Sequence, residues 1–238
     1  MGATMAELWA AAAFFLGLHL LVSGTSLRGK IVGVIGENLY LLAFSVASLV
    51  GIVWLVRAYG QALAGPNHLY WAAPEWLLHL APLVMIVAFV FVVLGVTTPN
   101  PMAVKAESLA DKPDAVRGML RITRHPLMWG FMFWAGMHVA VNGDKAAILF
   151  FGTFLLLAAL GTISQDEKKA RSMGESWKHF ASQTSNLPFA AILAGRNKLK
   201  PGEIGLWRLA LALVIFGGVF YGHLRLFGVS PVPGWAPY

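Results

Sequence analysis

The stretch WLLHLAPLVMIVAFVFVVLGV, residues 76–96, carries no Asp, Glu, Lys or Arg. About 20 apolar residues, rising ~1.5 Å each, cross the ~30 Å hydrocarbon core of a bilayer. The stretch therefore predicts a membrane span from Trp76 to Val96, with Pro82 in its first half as a kink site. Five more segments read the same way: Met5 to Gly24, Leu39 to Val56, Leu127 to Val141, Ala146 to Ser164 and Leu206 to Phe227. The Leu127 segment is short unless it begins before Pro126. Composition agrees with this reading. Of 238 residues, 58% are hydrophobic and 12% charged, with a mean hydropathy of +0.67, too apolar for a soluble domain of this length. The expected fold is all-α: a bundle of about six transmembrane helices in one domain over residues 1–238. It shows no internal repeat, and its loops leave no room for a separate soluble domain. The N-terminal run has no Lys or Arg before Arg28 and is long enough to span, so it reads as the first helix and not as a cleavable signal.

The formal net charge of +7 sits in loops between the apolar runs. That placement marks membrane topology and does not point to nucleic acid. Arg28 and Lys30 follow the first span. Lys105, Lys112, Arg117, Arg121 and Arg124 follow the third. Lys168, Lys169, Arg171, Lys178, Arg196, Lys198 and Lys200 follow the fifth, and Arg208 opens the sixth. Only Arg57, Lys145 and Arg225 lie on the opposite side. Fifteen basic residues against three place the first group in the cytoplasm and both termini across the membrane from it. Within the loop Gln165 to Ser182, Ala170, Met173, Trp177, Phe180 and Ala181 recur at helical spacing, with Lys168, Lys169, Arg171 and Lys178 on other faces. This pattern predicts an amphipathic helix in the cytoplasmic interface, its Trp and Phe at headgroup depth. A solvated extension of the fifth span is the alternative.

There is no cysteine, which excludes disulfides, thiolate metal sites, iron–sulfur clusters, Cys-attached haem and a thiol nucleophile. The chemistry-bearing residues are the histidines, six of the seven in or beside predicted spans. Ionisable groups at membrane depth are costly and mark functional candidates. His19 lies nine residues before Arg28, roughly 14 Å in from the cytoplasmic edge. His138 lies thirteen residues after His125, roughly 20 Å in from that edge. Two imidazoles from facing helices at comparable depth are how a bundle grips a haem iron from both sides. Gly130 and Ala135 on the His138 face, and Ala12 on the His19 face, would leave room for a macrocycle. The plainer alternative is that each imidazole hydrogen-bonds a neighbouring helix. His79, one turn inside the opposite edge beside Trp76, is a third candidate. His68, His179 and His223 read as wet and structural.

Arg124-His125-Pro126 stands at the mouth of the fourth span. Pro suits a first helical turn, and Arg an interface anchor. Arg and His together also suit an anion, such as a cofactor carboxylate or phosphate. Asp166-Glu167, at the end of the fifth span, becomes part of such a site only if it faces that mouth. There is no dinucleotide fingerprint, no Walker motif and no His-Glu-x-x-His.

His19 with Ser23 and Leu27-Arg28, Trp76 to His79, Arg124-His125-Pro126, and Trp134 with His138 and Asn142-Gly143-Asp144 together resemble the NnrU family of bacterial inner-membrane proteins. So do Thr184 to Phe189 and Leu226 to Pro231, and the resemblance covers essentially the whole chain. It implies a bacterial inner-membrane location, periplasmic termini and an association with nitrite and nitric oxide metabolism. Two related groups imply different chemistries. The plant 15-cis-zeta-carotene isomerases are similar haem b proteins with histidine ligands, and their ligand positions fall here on His19 and His138. Ala135 replaces a cysteine of that pattern, so thiolate ligation is impossible here. This resemblance implies one b-type haem, with Arg124 and His125 at its propionates and Arg28 behind them, acting on an apolar or small substrate in the bilayer. The isoprenylcysteine carboxyl methyltransferases have an Arg-His-Pro-x-Tyr-x-Gly motif followed by an acidic pair. Here it reads Arg124 to Gly130, then Asp166-Glu167, Gly174, Trp177, Phe180 and Pro188. That similarity implies S-adenosylmethionine instead, with Met128 in place of the Tyr and Asp166 in place of the first Glu as departures. A third reading is non-enzymatic: a haem or electron carrier, or an accessory factor to a respiratory reductase.

The charge distribution makes topology testable. A periplasm-active reporter fused after Tyr238 is expected to be active and a cytoplasm-active one silent. The reverse result would overturn the six-span orientation.

Overall fold

The computed structural model describes residues 3–232; residues 1–2 and 233–238, the ends of the expected domain, lie outside the described residues. The chain is helical, and the single β-type pairing among the described residues is a bridge between Leu69 and Asp144. Its α-helices are α1 Ala3–Leu16, α2 Leu27–Ile35, α3 Glu37–Ala64, α4 Glu75–Thr97, α5 Pro126–Asn142, α6 Lys145–Met173, α7 Glu175–Gln183, α8 Ala190–Leu193 and α9 Leu206–Phe227. Among the described residues, five segments are long and apolar enough to cross a membrane: Met5–Val22, α3, α4, α6 and α9. The protein is thus a multi-pass membrane protein. The fourth expected span exists as α5, but with 17 residues it falls short of that length. The residues form two compact units, one running to Pro74 and including Ala135–Ser164, the other made of Glu75–Trp134 and the chain from Gln165 onward. Helices α5 and α6 contribute to both.

In the first unit, α1 buries Leu8, Ala11, Ala12 and Phe15, the one-face spacing of a 3.6-residue repeat. They meet the stripe Gly51, Leu55, Ala58 and Ala62 of α3. The stripe is small because the helices approach closely: a Cβ on Gly51 would stand 3.0 Å from the Phe14 ring and 3.2 Å from the Phe15 ring. Trp54 Nε1 donates to Glu7 Oε1 at 3.1 Å, satisfying an indole that faces a carboxylate in an otherwise apolar pair. Helix α2 fills what reads in the sequence as a plain loop between the first two spans. It ends at Gly36, whose φ of 80° a side chain would resist.

The Asn142-Gly143-Asp144 signature is a turn held by the 65–74 loop. Asp144 accepts from Asn67 Nδ2 at 2.6 Å and from Ala147 N at 2.9 Å, so it caps the start of α6. Asn67 Oδ1 accepts from Ala146 N at 3.0 Å, and Trp71 Nε1 donates to Ala140 O at 2.9 Å. Gly143, at φ 68°, has no space for a Cβ, which would fall 2.1 Å from Trp71 O.

In the second unit, α4 packs along α9 and crosses the first turns of α5. Phe91, Leu94, Met119 and Ile122 form its core with Trp129, Phe133, Ile204 and Leu209. Helix α4 runs through Pro82 without ending. The space expected around Gly130 for a macrocycle is occupied by α4. A Cβ on Gly130 would stand 2.9 Å from Val92 N and 3.0 Å from Ala88 O. Ala12 and Ala135 are likewise buried in packing, at 2% and 0% exposure.

The expected interfacial helix is two pieces. Helix α6 continues to Met173 and breaks at Gly174, φ 55°, before α7 begins. Phe180 is fully buried, and with Met173 and Trp177 it packs on Met102, Ala110, Val116 and Leu120. The apolar face therefore meets protein and is not left for headgroups. Lys169, assigned to a polar face by spacing, is 7% exposed and reaches Glu107 at 2.8 Å and Ala103 O at 3.0 Å. Ala170, assigned inward, is exposed. Arg121 holds Glu203 through two bonds of 2.7 and 2.9 Å, and Gly118 N adds a third at 2.9 Å. The Arg121 hydrogen bond brings the Glu203 carboxyl down to about 2.

Gly130→Ala must push against backbone atoms, so it should destabilise the detergent-solubilised protein by about 1–3 kcal/mol in thermal unfolding. Gly136→Ala, whose new Cβ meets nothing nearer than Leu155 Cδ1 at 3.9 Å, should be neutral or slightly stabilising. Equal effects would show that the α4–α5 crossing yields freely.

Candidate functional site

Two clusters gather the residues expected to carry chemistry, one in each unit. The first contains both buried-span histidines. His19 lies in a π-helical stretch, Gly17–Val22, that continues α1. Such wide turns inside α-helices occur frequently at functional positions. Hydropathy periodicity has no means of revealing one. His19 Nδ1 is 2.8 Å from Phe15 O. A carbonyl only accepts, so Nδ1 carries the hydrogen and, in the neutral ring, Nε2 carries the lone pair. The imidazole packs against Phe15, with centroids 4.4 Å apart, and meets Phe44 edge-on at 5.2 Å.

His138 lies on α5 and stacks on Phe151 of α6 at 4.5 Å and 27°. A continuous set of rings links the two imidazoles: Phe15 to Phe154 at 5.7 Å, Phe154 to Phe150 at 5.3 Å, and Phe150 to Phe151 at 5.0 Å. Tyr59 stacks on Phe150 at 4.3 Å. Among the described residues no group of three or more His, Cys, Asp or Glu could hold a bare metal ion. What this donor set offers is one imidazole with a fixed tautomer and a second imidazole in the same unit, both among apolar rings. That set suits an iron already carried in a macrocycle, which needs only axial ligands. Arg28 belongs to this unit. Its Nη2 donates to Glu37 Oε1 at 2.6 Å, and its guanidinium lies 5.4 Å from the centre of the Tyr40 ring.

The second cluster is built on Asp166. Arg124 Nε donates to Asp166 Oδ1 at 2.8 Å, and Arg124 Nη2 donates to Asp166 Oδ2. His125 Nε2 is 2.7 Å from Asp166 Oδ1, on a ring only 3% exposed. The Arg124 guanidinium also stands 5.3 Å from the Trp177 ring centre. The acidic residue does face the Arg-His mouth, as the anion reading required. Its carboxylate occupies both donors that the haem reading expected at propionates. Neighbouring bonds lock the same corner: Thr123 Oγ1 and Trp129 Nε1 both donate to Asn186 O, at 2.5 and 2.9 Å.

The remaining histidines lie outside both clusters. His79 stands 3.6 Å from Glu75 and is 59% exposed. His68 gives its carbonyl to Lys145 N, His179 contacts Gln183, and His223 Nδ1 donates to Val229 O at 2.8 Å.

A family model described as NnrU protein matches residues 7–231. The chain belongs to the NnrU family. Among curated proteins, this NnrU protein is similar to the chloroplastic 15-cis-zeta-carotene isomerase of Zea mays, 29% identical over 186 residues, which is 73% of the chain and 47% of the relative. It is also similar to the Arabidopsis thaliana protein of the same name, 29% identical over 173 residues, 69% of the chain and 47% of the relative. The chain spans about half the length of the curated relatives it matches. No solved structure matches it.

Asp166→Asn removes the negative charge that a guanidinium and a buried imidazole both bond. It should lower unfolding stability by on the order of 3 kcal/mol. Asp166→Glu should recover part of that loss. Wild-type stability in Asp166→Asn would show that Arg124 and His125 find other partners at no cost.

Proposed function

We propose that this NnrU protein is a haem b-dependent, isomerase-type enzyme of the bacterial inner membrane, acting on an apolar or small substrate within the bilayer. The observation that carries the reading is His19: a π-turn imidazole with Nδ1 bonded to its own helix and Nε2 left as a donor. The similarity to two 15-cis-zeta-carotene isomerases supports isomerase-type chemistry. In this reading His19 and His138 would hold the haem iron. Phe15 O fixes the His19 tautomer and raises its donor strength. Phe44, Phe150, Phe151 and Phe154 keep water from the ligands. Arg28, a cation of the same unit that is paired with Glu37, would stand behind the propionates. Bound haem supplies an iron centre that can exchange an electron with a double-bonded substrate or coordinate it. The family name's association with nitrite and nitric oxide metabolism also admits a carrier or accessory role for the same haem, and turnover of an unsaturated substrate separates enzyme from carrier.

A second reading, a methyltransferase using S-adenosylmethionine, draws on one specific observation. The acidic residue of its motif, Asp166, meets Arg124 and His125 directly.

Protein purified from haem-sufficient cells should show a low-spin, bis-imidazole absorption spectrum. His19→Ala and His138→Ala should each open a coordination position, giving high-spin iron or loss of haem, while His79→Ala should leave the spectrum unchanged. The haem reading fails if wild-type protein shows no Soret band after reconstitution. Heat released on titration with S-adenosylmethionine, abolished in Arg124→Ala, would then favour the methyltransferase.

A further inference from the structure

Helix α3 turns one stripe toward α1 and leaves another open. The open stripe, Leu49, Val50, Val53, Trp54, Arg57 and Gln61, forms with Glu7 of α1 a groove of about 540 Å³ within the first unit. From Leu49 to Gln61 the helix rises ~18 Å, close to the ~15 Å of hydrocarbon in one leaflet. Leu49 and Val50 lie at the middle of α3, and Gln61 lies one turn from its end at Ala64. The groove therefore runs from mid-membrane toward the headgroup level of one leaflet. Its two ends differ. Leu49, Val50 and Val53 make an exposed apolar floor. Glu7, Arg57 and Gln61 place both signs of charge at the other end.

The polar end is held in place. The Trp54 ring packs 5.9 Å from that of Phe14, and its Nε1 donates to Glu7 Oε1 at 3.1 Å. Glu7 Oε2 takes no hydrogen bond among the described residues, and Arg57, an exposed side chain, makes no hydrogen bond or ion pair among them. Glu7 and Arg57 thus line one groove without pairing with each other. Charges at membrane depth are costly alone and normally find a partner. A guest with both signs of charge serves the two at once. The planar guanidinium fork suits a phosphate, and a carboxylate suits a primary ammonium, which has three hydrogens to donate. A headgroup with a phosphate and no cation meets Glu7 as a like charge. A quaternary ammonium has no hydrogen to give it. We propose that this groove binds a phospholipid of the phosphatidylethanolamine type. Its phosphate lies on Arg57 and Gln61, its ammonium on Glu7, and an acyl chain along Val53, Val50 and Leu49. The site does not depend on the haem reading.

The test offers full-length protein in detergent an equimolar mixture of phosphatidylethanolamine, phosphatidylcholine and phosphatidylglycerol with identical acyl chains. Native mass spectrometry then counts the lipid retained, since the headgroups differ in mass. Wild type should retain phosphatidylethanolamine about fivefold over either competitor, the scale of one partly exposed ion pair. Glu7→Gln keeps an acceptor for Trp54 and removes the charge. It should bring phosphatidylethanolamine down to the level of phosphatidylcholine and raise phosphatidylglycerol. Arg57→Gln should lower phosphatidylethanolamine and phosphatidylcholine together, again about fivefold. Arg225→Gln, on α9 and outside the groove, should match wild type. Equal retention of the three lipids by wild type, or a preference for phosphatidylglycerol, would overturn the proposal, and neither result requires a variant to fold. A preference that survives Glu7→Gln, or one that disappears in Arg225→Gln, would overturn it too.

Discussion

One carboxylate, Asp166, fixes the corner from which α5 departs. It takes three hydrogen bonds from two consecutive residues, two from Arg124 and one from His125. A charged group with so many directional bonds, in a partly dehydrated position, holds its donors far more tightly than an exposed ion pair does. Pro126 follows immediately and has no N–H to leave unpaired at a helix start. Thr123, on the other side, is fully buried and tied to Asn186. The Arg-His-Pro sequence therefore starts a helix and positions a guanidinium and an imidazole on one carboxylate.

The same corner shows why the loop charges are silent about structure. Their partners are distant in sequence: Asp166 for Arg124, Glu203 for Arg121, Glu107 for Lys169. Arg196 bonds three carbonyls, of Ala181, Ser182 and Thr184. The three ion pairs span 42 to 82 positions and leave no periodic trace. The loops consequently build a packed layer around Phe180, where spacing alone suggested a helix resting on lipid.

The membrane-spanning helices were legible because the bilayer imposes one length and one polarity on each. His19 and His138 stood out for a related reason, since an imidazole among apolar residues is conspicuous. Their fixation was not legible. The π-turn around His19 arises from backbone register, and the ring contacts of His138 come from α6. Gly130 illustrates the opposite failure. Its helical phase relative to His138 is right, yet its space belongs to the backbone of α4. A small residue marks a close approach without saying what approaches.

Helix α5 joins these strands of argument. At 17 residues it is about 25 Å long, less than the hydrocarbon thickness. A spanning helix that short would leave its terminal backbone groups below the level of water unless protein serves them. Both of its ends are served. At the first, the corner made by Asp166, Thr123 and Asn186 organises the entry, and His125 O accepts from Trp129 N at 3.1 Å. At the second, Trp71 Nε1 bonds Ala140 O and Asn142 Nδ2 bonds His138 O. The Asn67–Asp144 pair then starts α6 without delay. The signatures Arg124-His125-Pro126 and Asn142-Gly143-Asp144 are the two terminations of one short helix. His138 lies one turn inside the second of them, on a segment whose ends are held by side chains and not left to bulk water. A side chain carried on such a helix has little freedom to shift along the helix axis.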